Sequence, residues 1–273
     1  MVNAHAIAVF QTTVLDYYHH YGRHDMPWRQ PEVDGSFDPY KIMVSEIMLQ
    51  QTQVSRVIPI FQRFMEQFPS IASLSEAPLG EVMQAWSGLG YNRRAKFLHH
   101  NAQRIYEEFD DKFPTDLEAL VSLPGIGQNT AGAILAYAFD QPAVFIETNI
   151  RTVFIHHFFQ DKADVSDAEI RALIAASLPR TSSREWYWAL MDYGAHLKQT
   201  VGNPNQASKH YAKQSPFEGS QRQLRGRVIH LLARGQQTRA QLQAKLADDR
   251  LDKVLNDLLK EKLIQQHDRQ LSL

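Results

Sequence analysis

A Pro-Gly-Ile-Gly turn within residues 123–151 is followed, about twenty residues later, by the carboxylate of Glu147. Gly125 and Gly127 can take positive φ, which lets another backbone approach the turn closely. The small residues 130–133 then begin a helix, whose free N–H groups and positive dipole end suit an anionic oxygen such as a phosphate. The turn therefore indicates a group clamped by backbone amides, and the carboxylate indicates chemistry beside it. Taken alone, such a turn more often simply joins two helices. The neighbouring residues must therefore show whether this turn binds a ligand.

The composition is that of an ordinary globular protein of 273 residues, long enough for one or two domains. Because no apolar run reaches the length of a membrane span and the first residues lack signal-peptide features, we expect a cytoplasmic protein without membrane association. The absence of cysteine excludes disulfides, thiolate metal sites and cysteine-ligated iron–sulfur clusters. The histidine pairs at 19–20, 99–100 and 156–157 are adjacent rather than four residues apart, so we predict no catalytic metal.

Charge is distributed unevenly along the chain, although the net charge is −1. Residues 198–273 hold 14 Lys or Arg against 7 Asp or Glu, and the rest of the chain holds 15 against 23. A basic tail on an acidic body is expected where one part of a protein meets a polyanion. A solvated tail without a partner explains the same count equally well.

Apolar residues recur at helical spacing through most of the chain. Residues 42–65 show this pattern, and we expect Pro59 to break it into two helices. Further helices are predicted over residues 79–86, 94–109, 117–123, 130–139, 146–159, 168–178 and 183–196, with prolines between them. Because no stretch alternates convincingly as a strand, the first 217 residues are predicted to be all-α.

A small separate domain is predicted after residue 217. Residues 200–220 are polar and typical of a linker, which divides the chain into domains at 1–217 and 218–273. Three short helical patterns and a final hairpin-like alternation follow, and this is the element order of a winged helix. In that interpretation Thr238 caps the second helix and residues 250–260 form the recognition helix; a purely structural C-terminal cap is the alternative.

Five blocks of the sequence match one known family in order. They are PWR at 27–29, SEIMLQQTQV at 45–54, WSGLGYNRRAKFLH at 86–99, LPGIGQNTAGAI at 123–134 and ALMDYGA at 189–195. The chain resembles the helix–hairpin–helix DNA glycosylases of the endonuclease III superfamily, and most of all their A/G-mismatch adenine glycosylase branch. The resemblance implies an all-α, two-lobed fold with a DNA-binding hairpin and a cleft between the lobes.

The resemblance places the glycine turn in the hairpin whose amides hold a DNA phosphate. The residues assigned to this DNA contact are Leu123, Gly125, Ile126, Gly127, Gln128 and Thr130. It also implies a monovalent cation, K⁺ or Na⁺, at the hairpin carbonyls of Leu123 and Ile126. No other cofactor is expected.

Glu46 matches the catalytic glutamate of the adenine branch. Adenine is a poor leaving group until a ring nitrogen is protonated, so the reaction needs a carboxylic acid. A glutamate between Val44, Ile47 and Leu49 on an apolar helix can have a raised pKa and serve as that acid. A structural helix carboxylate is the alternative, which the directly following LQQTQ makes less favoured.

The resemblance also implies which residues contact the opened duplex. Gln50 and Gln51, followed by Thr52, match residues that fill the duplex where a base has left the stack. Tyr91 and Asn92 belong to a loop that contacts the same opened duplex. The next basic residues are candidates for phosphate contacts, although a solvated basic face fits each of them equally well: Arg93, Arg94 and Lys96.

Two candidate catalytic positions depart from the family pattern. Glu147 stands where the family has an aspartate that stabilises the oxocarbenium-like sugar. A second carboxylate suits that charge, but the extra methylene moves its oxygens by about 1 Å, a shift that can cost about 10²-fold in rate. Asn129 stands where bifunctional relatives carry a Schiff-base lysine, so we predict no lyase activity and expect its amide to form a hydrogen bond in the pocket.

Two family features are missing from the sequence. Lys198, Asn205, Ser208 and Gln214 stand where the family has cluster-binding cysteines, so an iron–sulfur cluster is predicted to be absent. The long C-terminal domain that reads 8-oxoguanine in the adenine branch is replaced by the basic tail. Specificity for adenine opposite 8-oxoguanine is therefore not carried over.

The resulting hypothesis is a monofunctional DNA glycosylase of base excision repair, monomeric and nucleoid-associated. It flips a mispaired or damaged base, with adenine favoured, out of double-stranded DNA and hydrolyses the N-glycosidic bond. Glu46 is the general acid and Glu147 stabilises the charged sugar. The alternatives are a thymine or uracil mismatch glycosylase, and a non-catalytic lesion or DNA-structure binder in which Glu147 marks lost chemistry.

Overall fold

The computed structural model describes residues 3–179, 182–213 and 216–273, which form fourteen α-helices and one small sheet. Helices α1 to α14 are Ala4–Tyr21, Pro39–Leu49, Val54–Gln67, Ile71–Glu76, Leu79–Ala85, Arg93–Glu108, Leu117–Ser122, Gln128–Phe139, Thr148–Phe158, Asp167–Ser177, Ser183–Thr200, Gln221–Leu232, Arg239–Leu246 and Leu251–Lys260. The predicted all-α fold class is confirmed. Within the described residues, every helix lacks either the length or the apolar composition needed to cross a membrane.

The prediction that Pro59 breaks a helix is wrong. Pro59 lies inside α3, and the interruption falls earlier, at residues 50–53. There Gln51 takes a left-handed φ of 56°, and the N–H of Thr52 donates to the carbonyl of Leu49 at 3.1 Å. Pro59 is the sixth residue of α3, so its missing N–H removes one backbone hydrogen bond, and burial of the apolar face of the helix outweighs that loss.

The chain folds as two compact units. As far as they are described, the first contains Met1–Met43, Thr115–Ser122 and Ile126–Lys213. The second contains Val44–Pro114, Leu123–Gly125 and Gln214–Leu273. The chain thus passes from one unit to the other within α2, between α6 and α7, twice in the turn after α7, and after residue 213. The division into domains at residue 217 stays a prediction.

Helices α1, α9 and α11 form the core of the first unit. The ring of Phe10 in α1 lies 5.2 Å from that of Phe154 in α9 and 5.6 Å from that of Trp186 in α11. At Gly194 of α11 a Cβ would collide with the carbonyl oxygen of Asn149, so glycine allows the two helices to approach. This approach fixes the first turn of α9 against α11.

Residues of α2 to α6 form much of the core of the second unit. Met48, Phe64 and Trp86 are fully buried, and the rings of Phe64 and Trp86 meet nearly edge to face at 6.2 Å. Helix α6 packs along α4. The start of α6 is therefore held by packing beside the glycine-containing turn that precedes it.

The C-terminal residues have the predicted elements. Helices α12, α13 and α14 are followed by a hairpin of β2 and β3, and a short β1 precedes α13; the strands are Gln237–Thr238, Gln265–His267 and Gln270–Ser272. The sheet order is β1-β3-β2, with both pairs antiparallel. Thr238 caps α13 as predicted, because its hydroxyl accepts the N–H of Gln241 at 3.2 Å.

Candidate active site and nucleic-acid interface

Glu46 lies near the C-terminal end of α2, a helix that is otherwise largely buried. The flanking Ser45 and Ile47 are 0% and 2% exposed, whereas Glu46 is half-buried. A helix that buries apolar residues around most of its circumference belongs in a core. Glu46 is thus a carboxyl group presented by a rigid core helix, and this support suits a proton donor.

Gln50, Gln51 and Thr52 form the turn that follows α2. Gln51 is exposed, whereas Gln50 and Thr52 are half-buried. The hydroxyl of Thr52 donates to the carbonyl oxygen of Gln50 at 3.3 Å. The turn therefore presents Gln51 at the surface and uses Thr52 to shape its own backbone.

Arg94 organises this turn from inside the protein. Its guanidinium donates to backbone carbonyls at the end of α2 and in the turn before α6, and to one hydroxyl; the acceptors are Ile47, Met48, Gln50, Leu89, Gly90 and Thr52, at 2.5–3.3 Å. The hypothesis that Arg94 contacts phosphate is wrong, because the residue is 7% exposed and its Nη1 and Nη2 groups donate to internal acceptors. Burial lowers the pKa of Arg94 to about 10, which leaves it charged at neutral pH.

Tyr91, Asn92 and Arg93 lie at the start of α6. Tyr91 is half-buried, has a left-handed φ of 47°, and its ring centroid lies 5.3 Å from the guanidinium of Arg94. Asn92 is the N-cap residue of α6 and forms no side-chain cap hydrogen bond. The side chain of Arg93 is 57% exposed and pairs with Glu261 at 2.8 Å. Arg94 thus links the Tyr91 turn to the glutamine turn.

The glycine turn joins α7 to α8. Leu123 and Ile126 are 1% and 3% exposed and anchor it, whereas Gly127 and Gln128 are exposed. The remaining predicted contact in α8, Thr130, is half-buried. Helix α8 therefore begins at exposed backbone, as a site for an anionic oxygen requires.

The two turn glycines have different roles. Gly125 has a φ of 75°, and a Cβ there would lie 2.5 Å from Cδ2 of Phe97, so the position requires glycine. The expectation of positive φ is wrong for Gly127, which has a φ of −89° and is the N-cap of α8. An N-cap residue takes extended rather than left-handed backbone, and the space where a Cβ of Gly127 would lie is open.

Glu147 is the N-cap residue of α9. Its Oε2 accepts the N–H of Asn149 at 2.6 Å, which fixes the carboxylate at the positive end of the helix dipole. Asn129 holds Ile146, the residue before Glu147, because its Oδ1 accepts the N–H of Ile146 at 3.2 Å. Arg171 donates to the same oxygen at 3.2 Å. These hydrogen bonds of Asn129 hold the backbone that leads into Glu147.

Lys198 and Asn205 hold the first turn of α9 as well. Nζ of Lys198 donates to Oδ1 of Asn149 at 2.8 Å. Nδ2 of Asn205 donates to the carbonyl of Thr148 at 2.9 Å and to the hydroxyl of Thr152 at 3.1 Å. Asn205 is 4% exposed, so these bonds lie in the interior.

The surroundings of Lys198 lower the pKa of its ammonium group below the ordinary value. Burial lowers the pKa of the Lys198 ammonium, the Glu147 carboxylate raises it, and the Arg151 guanidinium lowers it. The sequence indicated Lys198 only as the replacement of a cluster ligand, and its bond to Asn149 was not predicted. The signal was a lysine three residues after the ALMDYGA block, on the helix that packs against α9.

Three of the four positions predicted to replace cluster ligands are described. Besides Lys198 and Asn205, Ser208 is buried and forms a parallel bridge with Val165. Gln214 lies outside the described residues. Among the residues that the structure describes, no group of three or more His, Cys, Asp or Glu side chains is arranged to hold a metal ion.

Comparison with known proteins identifies the family. Residues 44–179 match the model described as HhH-GPD superfamily base excision DNA repair protein. A protein of Mycolicibacterium smegmatis named adenine DNA glycosylase is 34% identical over 285 residues, which cover 95% of this chain and 94% of the relative. The adenine DNA glycosylase of Buchnera aphidicola subsp. Baizongia pistaciae is 37% identical over 191 residues, and these cover 68% of this chain and 52% of the relative. The chain thus spans about half the length of this second relative.

A solved structure supports the fold. A thermostable thymine-DNA glycosylase superposes with a TM-score of 0.60 at 24% identity, covering 70% of this chain and 87% of that one. At this identity the likeness concerns the fold alone. Together with the family match and the near full-length relative, it leads to one conclusion: the chain belongs to the HhH-GPD superfamily of base excision DNA repair proteins.

Proposed function

We propose that the chain is a monofunctional DNA N-glycosylase that removes adenine from a mispaired or damaged duplex. The observation that carries the proposal is the carboxylate of Glu147, fixed at the start of α9 by the N–H of Asn149 at 2.6 Å. The names of the relatives, adenine DNA glycosylases, support adenine as the target base. Glu46, on its buried helix, supplies the second carboxyl group that the reaction needs.

In the proposed reaction, the target base first leaves the stack, because a protein group cannot reach its atoms inside the duplex. Glu46 donates its proton to a ring nitrogen of adenine, and the bond from adenine to C1′ breaks with its electron pair going to the base. The carboxylate of Glu147 stabilises the positive charge on the sugar. Water adds to C1′ and gives its proton to the Glu46 carboxylate, which leaves free adenine and an abasic site.

The absence of lyase activity is part of the proposal. Strand cleavage through a Schiff base needs an amine that attacks C1′. Asn129 has an amide, and its oxygen already accepts hydrogen bonds from Ile146 and Arg171. The abasic site is therefore the expected product.

Duplex DNA is the proposed partner of the exposed turns. The start of α8 offers backbone N–H groups to a phosphate, and a K⁺ or Na⁺ ion at the carbonyls of Leu123 and Ile126 would add positive charge there. Gln51 and Tyr91 lie in turns that Arg94 links, and these turns would meet the opened duplex. We expect the protein to act as a monomer.

The test is single-turnover base release from a panel of duplexes. The panel contains 8-oxoguanine:A, G:A, G:T and G:U pairs together with alkylated and deaminated bases, and Glu46→Gln and Glu147→Ala are measured beside the wild type. We expect adenine release by the wild type and a loss of about 10²-fold or more in each variant.

Three results would contradict parts of this proposal. Binding without release of any base would leave a non-catalytic binder. Release of thymine or uracil but not adenine would overturn the target base. Strand cleavage without added alkali would overturn the monofunctional reaction.

A further inference from the structure

Helix α12, in the C-terminal part of the second unit, contacts the turn predicted to meet DNA. Nη1 of Arg222 donates a hydrogen bond to the hydroxyl of Tyr91, and the Arg222 guanidinium lies 5.7 Å from the centre of the Tyr91 ring. The guanidinium of Arg94 lies 5.3 Å from the centre of the same ring. Tyr91 is therefore held by two arginines, one from α6, the helix that follows it in the chain, and one from α12.

A second cluster fastens the C-terminal residues to the start of α6. The carboxylate of Glu261, directly after α14, pairs with Arg93 at 2.8 Å and with Arg225 of α12 at 2.6 Å. Nζ of Lys96 donates to the carbonyl oxygen of Glu261 at 2.7 Å. These bonds keep α12 against the segment that carries Tyr91.

The backbone conformation of Tyr91 needs such support. A φ of 47° is uncommon for a residue with a side chain, and such a conformation persists where its surroundings hold it. The bond from Arg222 fixes the hydroxyl, which is the far end of the side chain. The bonds of Arg94 to Gly90 and Gln50 fix the backbone before Tyr91 and the neighbouring glutamine turn.

We propose that Arg222 is a positioning residue that holds Tyr91 in the orientation in which it enters the opened duplex. The C-terminal residues then belong to the base-flipping apparatus rather than forming an independent module. The inference rests on the proposed function, since it takes Tyr91 to contact DNA. Arg222 acts through Tyr91, and this distinguishes it from an arginine that binds a phosphate itself.

A double-mutant cycle tests the inference in the full chain. Arg222→Met, Tyr91→Phe and the double variant are made in a Glu46→Gln background, so that the substrate stays intact during binding. Tyr91→Phe removes the hydroxyl and keeps the ring. The matched control is Arg234→Met, because Arg234 follows α12 at about 18 Å along the helix axis from Arg222.

Two quantities are measured for each variant. The first is the dissociation constant for an adenine-mismatch duplex, with its dependence on salt. The second is the fluorescence of 2-aminopurine placed beside the target adenine, which rises when the neighbouring base leaves the stack. A thermal melt of each variant confirms that it is folded.

If the inference is correct, Arg222→Met and Tyr91→Phe each weaken duplex binding by about tenfold, as expected for loss of a charge-assisted hydrogen bond. Each also reduces the fluorescence rise, and the double variant is no worse than either single one. The control variant binds like its background, and the salt slope changes in none of them.

Additive effects with a salt slope reduced by about one would assign Arg222 to direct phosphate binding and overturn the inference. Wild-type-like binding by Arg222→Met would overturn it as well. Failure of the proposed function has a different signature, because the protein with Glu46 intact would then release no adenine whatever residue stands at 222.

Discussion

Glu147 is the candidate catalytic residue for which the resemblance predicts an aspartate instead. As the N-cap of α9 it accepts the N–H of Asn149, a bond that an aspartate at the same position can also form. The extra methylene therefore matters less for the helix than for the position of the carboxylate oxygens. Asn129 binds Ile146, which precedes Glu147, and Lys198 binds Asn149, which follows it.

We predict that Glu147→Asp separates these two roles. The shorter side chain moves the oxygens by about 1 Å, so single-turnover adenine release should fall by up to about 10²-fold. The free energy of unfolding should change by less than about 0.5 kcal/mol, because aspartate caps helices well. Urea unfolding and single-turnover kinetics measure the two quantities. Equal rates for both acids would mean that the pocket accepts either length.

At the scale of elements, polar contacts between α9 and α11 position the candidate carboxylate. Lys198 of α11 reaches Asn149 of α9, and Asn205 reaches the carbonyl of Thr148 from the 3₁₀ turn Pro204–Ala207. The resemblance predicts cluster ligands at the positions of Lys198 and Asn205. In this chain the side chains at those two positions form hydrogen bonds with the first turn of α9.

We predict that Lys198→Met lowers the rate of adenine release by about tenfold, because a small displacement of a catalytic group is costly. Duplex affinity should stay within about twofold. Stability should change little, since methionine keeps the buried stem and removes the cost of burying a charge. The matched control is Lys162→Met, which alters a surface pair with Glu169 in the same unit and should leave the rate unchanged. A stability loss with an unchanged rate would contradict the prediction.

The hairpin between α7 and α8 offers a second test at this scale. Gly125→Ala should lower the free energy of unfolding by about 1–3 kcal/mol, because the left-handed φ is strained and the new Cβ meets Phe97. Gly127→Ala should cost less than about 1 kcal/mol, since its φ is negative and its surroundings are open. Urea unfolding compares the two. Equal losses would contradict the roles assigned to these glycines.

At the scale of the whole molecule, the two units differ in how the chain builds them. Much of the first unit comes from residues 126–213, whereas the second combines residues 44–114 with the C-terminal elements. A net charge of −1 provides little overall attraction to DNA. We therefore expect affinity to depend on local cations and backbone amides at the turns described above.

The pH dependence of global stability should contain a contribution from His157. Burial, with the neighbouring His156 as a second cause, lowers the pKa of His157 to about 4, and its Nε2 hydrogen-bonds with the hydroxyl of Tyr193 at 3.1 Å. Between pH 6.5 and about 4 the unfolded chain binds a proton that the folded chain does not, so stability falls as the pH falls.

We expect this contribution to be about 1–2 kcal/mol, reduced from the full shift because the ring is partly solvated. His157→Phe should flatten that part of the curve of unfolding free energy against pH. The exposed His267→Phe is the control and should leave the curve as it is. A curve with the same slope in His157→Phe and the wild type would contradict the assignment.

Local patterns predicted most of the helices, although no range was predicted for α1 or α4. The capping residue Thr238, the helical periodicity and the prolines between helices act over a few residues, so the sequence indicates them directly. The wrong prediction at Pro59 also came from a local rule. A local rule expected a break, while burial of α3 in the second unit decided that the helix continues.

The sequence by itself determined the family, the helices and the candidate carboxyl groups Glu46 and Glu147, because motifs and periodicity are properties of neighbouring residues. Tertiary structure decided which basic residues are available to a ligand. Arg94 is turned inward onto carbonyls some 44 to 47 residues away, and Arg222 reaches Tyr91 across 131 residues. The physical reason is that the role of a charged side chain depends on the partners that folding brings to it. No local pattern specifies partners so distant in the chain.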